Sequence, residues 1–136
     1  MTIKIECGVD LVEIARIEQA VARLGDRFLN RIFTEEERRY CRGRAPQLAA
    51  RFAAKEAVGK ILGTGLWNEG VAWQQIGIIH TTVGKPNLVL QGEAAFRAAQ
   101  VGLRQWNVSL SHSRGDAIAF VIASSAVLET EMAGGR

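Results

Sequence analysis

The stretch Gly8-Val9-Asp10-Leu11-Val12-Glu13-Ile14 is where the hydrophobic period of this chain changes, and that change decides its fold class. Before it, Ile3, Ile5, Cys7 and Val9 alternate with Lys4, Glu6 and Gly8, the period-2 pattern of a half-buried strand. After it, Ile14, Ile17, Val21 and Leu24 recur every three or four residues, which predicts a helix with one apolar face. Arg16 and Arg23 line the opposite side, and Gly25 is the expected stop. Asp10, a carboxylate at the end of the alternating run, sits at the junction.

Thr34 followed by Glu37 is a capping-box pattern that opens a short charged helix reaching about Gly43. Pro46 then precedes a longer alanine-rich helix over 47–62, ended by Gly63 and Gly65. Beyond it, Trp73, Ile76, Ile78 and Ile79 predict a strand, and Gly84-Lys85-Pro86 a turn into a hairpin partner at 87–90. A helix is expected over 92–101 with Ala95, Phe96 and Ala99 as its apolar stripe. Val108 and Leu110 lead a strand into Ser111-His112, and 117–123 reads as a buried strand. The tail from Leu128 reads as frayed. With no internal repeat and no linker, the expectation is one α+β domain over 1–136. Its sheet leans antiparallel, and its long helix carries the site.

Composition narrows the function classes. The chain has 136 residues, enough to bury a core without covalent staples, and 48% of them are hydrophobic. Two cysteines, Cys7 and Cys41, are too few for a disulfide scaffold and lack partners at metal spacing, so a cytoplasmic setting is expected. No apolar run reaches the roughly 20 residues of a membrane helix, and no signal-peptide pattern is present. The net charge of +3 suits an acidic partner. No basic cluster is interleaved with aromatics, so nucleic acid is not the expected partner.

A second carboxylate stands out in Arg51-Phe52-Ala53-Ala54-Lys55-Glu56-Ala57. Glu56 lies among Arg51, Lys55 and Lys60, with Lys60 one turn further along the helix. Each carboxylate alone has a plain reading: Asp10 as a helix cap, Glu56 as a solvated helix residue. Together, two carboxylates from distant parts of a small domain are what Mg²⁺ needs if it also holds a diphosphate. Gly63-Thr64-Gly65 would let backbone N–H groups approach a phosphate, but it follows a helix C-terminus, the negative end of the dipole. Cationic side chains or a metal must then compensate. Ser111 and His112, ending a strand, are placed to meet a ligand; His80 is assigned no role.

These motifs, with Arg16-Ile17, Phe33-Thr34-Glu35-Glu36-Glu37 and Gly84-Lys85-Pro86, resemble the holo-acyl-carrier-protein synthases, the small bacterial class of 4′-phosphopantetheinyl transferase. Order and spacing agree from about Ile3 to Ala123. The resemblance implies transfer of the phosphopantetheine arm of coenzyme A to a serine of apo acyl carrier protein, releasing 3′,5′-ADP, in fatty-acid or polyketide biosynthesis. It implies Mg²⁺ on Asp10 and Glu56, with Lys60 and His112 completing the catalytic set. It further implies coenzyme A contacts from Arg51, Lys60, Gly63, Thr64, Gly65, Pro86, Ser111 and His112. Arg16 and Arg23 become the docking site for an acidic carrier protein. A homotrimer is implied, with active sites between subunits and the 84–86 turn supplied by the neighbour. The base for the carrier serine stays open between Glu56 and a metal-bound water. The alternative is a non-catalytic module that binds coenzyme A or the carrier.

Overall fold

The computed structural model describes residues 2–63, 70–81 and 83–127. Strand β1 (Ile5–Glu13) leads into α1 (Ile14–Leu24), then α2 (Asp26–Ile32), α3 (Glu35–Cys41) and α4 (Ala45–Leu62). A 3₁₀ turn at Trp73–Gln75 precedes β2 (Ile76–His80), β3 (Pro86–Leu90), α5 (Gly92–Gln100), β4 (Gln105–His112) and β5 (Asp116–Ser124). One antiparallel sheet has the order β1-β5-β4, and β2-β3 form a separate antiparallel hairpin. The α+β reading and the antiparallel sheet are both present. The expected tail beyond 127 lies outside the described residues.

Helix α4 packs across β1 and β5 and is buried on nearly every side. Alanines on both partners permit this. Ala49, Ala50, Ala53, Ala54 and Ala57 of the helix face an inner sheet surface that includes Ala117, Ala119 and Ala123, all buried. Gly8 brings the layers closest: a Cβ there would lie 2.7 Å from the Ala57 carbonyl oxygen. Because Ala57 follows Glu56, this contact also sets where Glu56 meets β1.

The small inner face reverses two expectations. β1 runs through Asp10 to Glu13, and its core-facing residues are Gly8, Asp10 and Val12, not the apolar alternates. Ile5, Val9 and Leu11 face outward, 65%, 49% and 62% exposed. β5 alternates likewise: Ala117, Ala119, Val121 and Ala123 are buried, while Ile118 and Phe120 are exposed. The period was right, but α4 takes the small-residue face because only that face allows its backbone so close.

Helix boundaries hold to within two residues where glycine or a cap supplies the signal. Gly25 and Gly63 cap α1 and α4 with positive φ, and Thr34 with Glu37 forms the capping box of α3. Pro46 belongs to the first turn of α4 instead of preceding it. Helix α2 was not foreseen, and Trp73 enters a 3₁₀ turn, not a strand. In α5 the buried residues are Ala94 and Ala98, and Phe96 points to solvent. Alanine on several faces of so short a helix leaves its apolar phase undetermined.

Candidate active site

The period-2 alternation of β1 turns Asp10 inward, toward α4, and the helical period brings Glu56 and Lys60 to the same place. Lys60 Nζ donates to Asp10 Oδ1 at 2.9 Å and to the Val9 carbonyl at 3.0 Å. Lys60, one turn along the helix from Glu56, therefore pairs across to β1. Asp10 is no helix cap: Glu13 occupies that position, without a side-chain cap.

Glu56 is half-buried beside Asp10, and its carboxyl is pushed up to about 7. Burial is the largest cause, followed by a hydrogen bond to Asp10 and repulsion from it; Arg16 and Lys60 pull the other way. Glu56 therefore holds its proton up to near neutral pH. Asp10 Oδ2 is buried with no hydrogen-bond partner among the described residues. An acceptor oxygen stripped of water next to a reluctant second carboxylate is a donor set that suits a hard divalent cation. Two carboxylates would fill only part of the shell of such an ion and leave positions for other oxygens.

Lys55, read as part of the cationic surround of Glu56, lies elsewhere. It is fully buried, 2.9 Å from Glu37, and donates to the carbonyls of Trp73 (3.1 Å) and Ile76 (2.5 Å). Glu37 in turn accepts from Ile78 N at 2.7 Å and Thr34 N at 2.8 Å. Desolvation lowers the Lys55 pKa, and Glu37 opposes that shift. Adjacent residues on a helix point about 100° apart, so Lys55 anchors α4 to α3 and β2 while Glu56 faces β1.

Arg51 forms a separate cluster. It is 3% exposed, donates to the Gln47 carbonyl at 2.9 Å, lies over the Tyr40 ring at 4.7 Å and meets His80. His80 reaches the Gly84 carbonyl, which places the 84–86 turn, with Pro86, beside this cluster. His80 was assigned no role in the sequence because its partners come from α3, α4 and the hairpin turn; no local pattern announces it.

Ser111 and His112 do not share a face. Ser111 lies opposite Ile118 and Leu11 on the outer sheet surface, and exposed His112 lies opposite buried Ala117 on the other side. Neighbouring strand residues must diverge in this way. Gly63 ends α4 at φ 77°, beside Arg97, whose Nε donates to the Leu62 carbonyl at 3.1 Å. Arg97 is the cation the negative helix end called for. Thr64 and Gly65 lie outside the described residues. Arg16 and Arg23 are exposed on α1, and Arg16 also lowers the Glu56 pKa, so α1 borders the carboxylate pair.

The family model described as the 4′-phosphopantetheinyl transferase superfamily matches residues 6–121. The chain is 54% identical over 120 residues to a holo-[acyl-carrier-protein] synthase of Herpetosiphon aurantiacus, covering 85% of this chain and 94% of that relative. It is 47% identical over 116 residues to one of Dehalococcoides mccartyi, with 85% and 95% covered. Among solved structures, the Helicobacter pylori holo-[acyl-carrier-protein] synthase in complex with coenzyme A superposes with TM-score 0.78 at 31% identity. That match covers 87% of this chain and 99% of that one. A Bacillus anthracis synthase in complex with CoA (3′,5′-ADP) gives TM-score 0.70 at 33% identity, covering 88% and 96%.

Proposed function

The chain belongs to the 4′-phosphopantetheinyl transferase superfamily, and on that premise we propose that it is a holo-acyl-carrier-protein synthase. It transfers the 4′-phosphopantetheine group of coenzyme A to a serine of apo acyl carrier protein. The serine oxygen bonds to the phosphorus that carries pantetheine, the anhydride P–O bond breaks, the serine proton is lost, and 3′,5′-ADP leaves. The observation that carries this reading is the convergence of Asp10, Glu56 and Lys60 at the contact of β1 with α4.

Asp10 and Glu56 would hold Mg²⁺; Asp10 Oδ2, buried and without a hydrogen-bond partner among the described residues, is the local support. Bound there, Mg²⁺ supplies Lewis-acid polarisation of the diphosphate. Lys60, 59% exposed at its side chain, pairs with Asp10 and offers a cation to the diphosphate oxygens. Arg51, with Gly63, Thr64, Gly65 and Pro86, binds the nucleotide phosphates, and Ser111 and His112 serve the adenosine end. Catalysis is then mainly positioning and electrostatics. A binding-only module would need no converging carboxylates.

The active enzyme is a homotrimer that buries the outer sheet face. Ile5, Val9, Leu11, Ile118 and Phe120 form an apolar surface there, flanked by Ser111. Such a continuous patch marks an interaction site. We expect Phe120→Asp to sediment as a monomer, with exposed Cys7 alkylated faster than in the wild type, since Cys7 lies on the same face. Unchanged trimeric sedimentation would count against this interface.

Helix α1 docks the acidic carrier through Arg16 and Arg23. Arg23→Glu is expected to raise KM for the carrier about tenfold, and less at high salt, with KM for coenzyme A unchanged. An unaltered carrier KM would remove Arg23 from the docking surface.

The direct test is intact-mass analysis of an apo carrier incubated with protein, coenzyme A and Mg²⁺. A gain of one phosphopantetheine that EDTA abolishes supports both activity and metal dependence. No gain with several apo carriers, from folded protein that still binds coenzyme A, would favour the binding-only module.

A further inference from the structure

We infer that His80 is a positioning residue that holds the Arg51 guanidinium in place for a phosphate of coenzyme A, an inference that rests on the phosphate-binding role proposed for Arg51. Arg51 Nη2 lies 2.5 Å from His80 Nε2. A guanidinium only donates, so Nε2 must be the accepting nitrogen and the imidazole must be neutral at that atom. His80 Nδ1 lies 3.1 Å from the Gly84 carbonyl oxygen, which only accepts, so Nδ1 carries the proton. Both contacts demand the same tautomer, and the hairpin turn selects it.

The ring plane is fixed as well. Tyr40 stacks on His80 with centroids 3.9 Å apart and an interplanar angle of 9°, and the Arg51 guanidinium lies over the same Tyr40 ring. Arg51 is thus held by the Gln47 carbonyl from its own helix, by Tyr40 from α3 and by His80 from β2. Its Nε is buried without a partner among the described residues. The long arginine stem would otherwise lose rotamer freedom on binding a phosphate; holding it beforehand removes that cost from the binding step. The Gly84 carbonyl orients His80, His80 orients Arg51, and Arg51 meets the anion.

The test measures kcat, both KM values and the dissociation constant of coenzyme A for His80→Ala, His80→Gln, Arg51→Lys and the double variant His80→Ala/Arg51→Lys. His80→Ala should raise KM and Kd for coenzyme A about tenfold, the scale of one charge-assisted hydrogen bond. Its kcat and carrier KM should stay within about twofold. His80→Gln, which offers an amide oxygen where Nε2 stood, should recover most of the loss. In the Arg51→Lys background, which lacks the fork, removing His80 should add less than about twofold.

An unchanged coenzyme A KM in His80→Ala would overturn the proposal, as would an equal effect in both backgrounds. Arg51→Lys with wild-type Kd would instead overturn the phosphate role of Arg51 on which it rests. If His80→Ala does not fold, nitrogen chemical shifts of His80 in the wild type still decide: protonated Nδ1 with bare Nε2 is expected, and the opposite tautomer overturns the proposal.

Discussion

Asp10→Ala and Glu56→Ala are each expected to lower kcat/KM for coenzyme A by on the order of 10² to 10³, while the folded protein loses little or no stability. The two halves of this expectation have one cause. In the wild type the two carboxyls repel, and the Glu56 pKa of about 7 records that conflict together with burial. Deleting either carboxyl relieves the repulsion. The Asp10–Lys60 pair lost with Asp10 is solvent-screened on the lysine side and contributes little. A structural carboxylate would behave in the opposite way, costing stability and sparing activity. Urea unfolding beside the mass-based transfer assay separates the cases, and Mg²⁺ titration of each variant should show weakened binding. Full Mg²⁺-dependent transfer by both variants would defeat the metal assignment.

Lys55→Met is expected to destabilise the fold by about 3–5 kcal/mol, because it leaves the Glu37 carboxylate uncompensated where neither side chain has any exposure. Glu37→Leu should cost a similar amount. The double variant Glu37→Leu/Lys55→Met is the more discriminating experiment. Exchanging a buried ion pair for apolar residues is often neutral. Here it would orphan the N–H groups of Thr34 and Ile78 and the carbonyl of Ile76, all now partnered by the pair. The double variant should therefore stay well below wild-type stability in urea denaturation. Recovery to the wild-type midpoint would show that the backbone contacts contribute little.

That pair illustrates why part of the site was illegible in the chain. Thr34 and Glu37 announced a capping box, and the box is present. The other Glu37 oxygen, which reaches Ile78 N, and the Lys55 contact span distances in sequence that no local period records. Lys55 consequently read as one more cation near Glu56. The Arg51, Tyr40 and His80 cluster was hidden for the same reason, being assembled from three elements. Ser111 and His112 read as a pair by adjacency, yet the pleat sends them to opposite faces.

By itself the sequence determined the order and type of most elements, the glycine and capping-box ends of the helices, and the family. It also singled out Asp10 and Glu56, whose motifs are local and whose types conflict with their apolar surroundings. The tertiary structure alone decided which face of the sheet is core. Period 2 leaves two faces equivalent by pattern, and hydrophobicity favoured the wrong one on β1. Close approach of α4 requires Gly8 and the alanines of β5, so the small-residue face is buried and the larger apolar residues are left outside for another surface to cover.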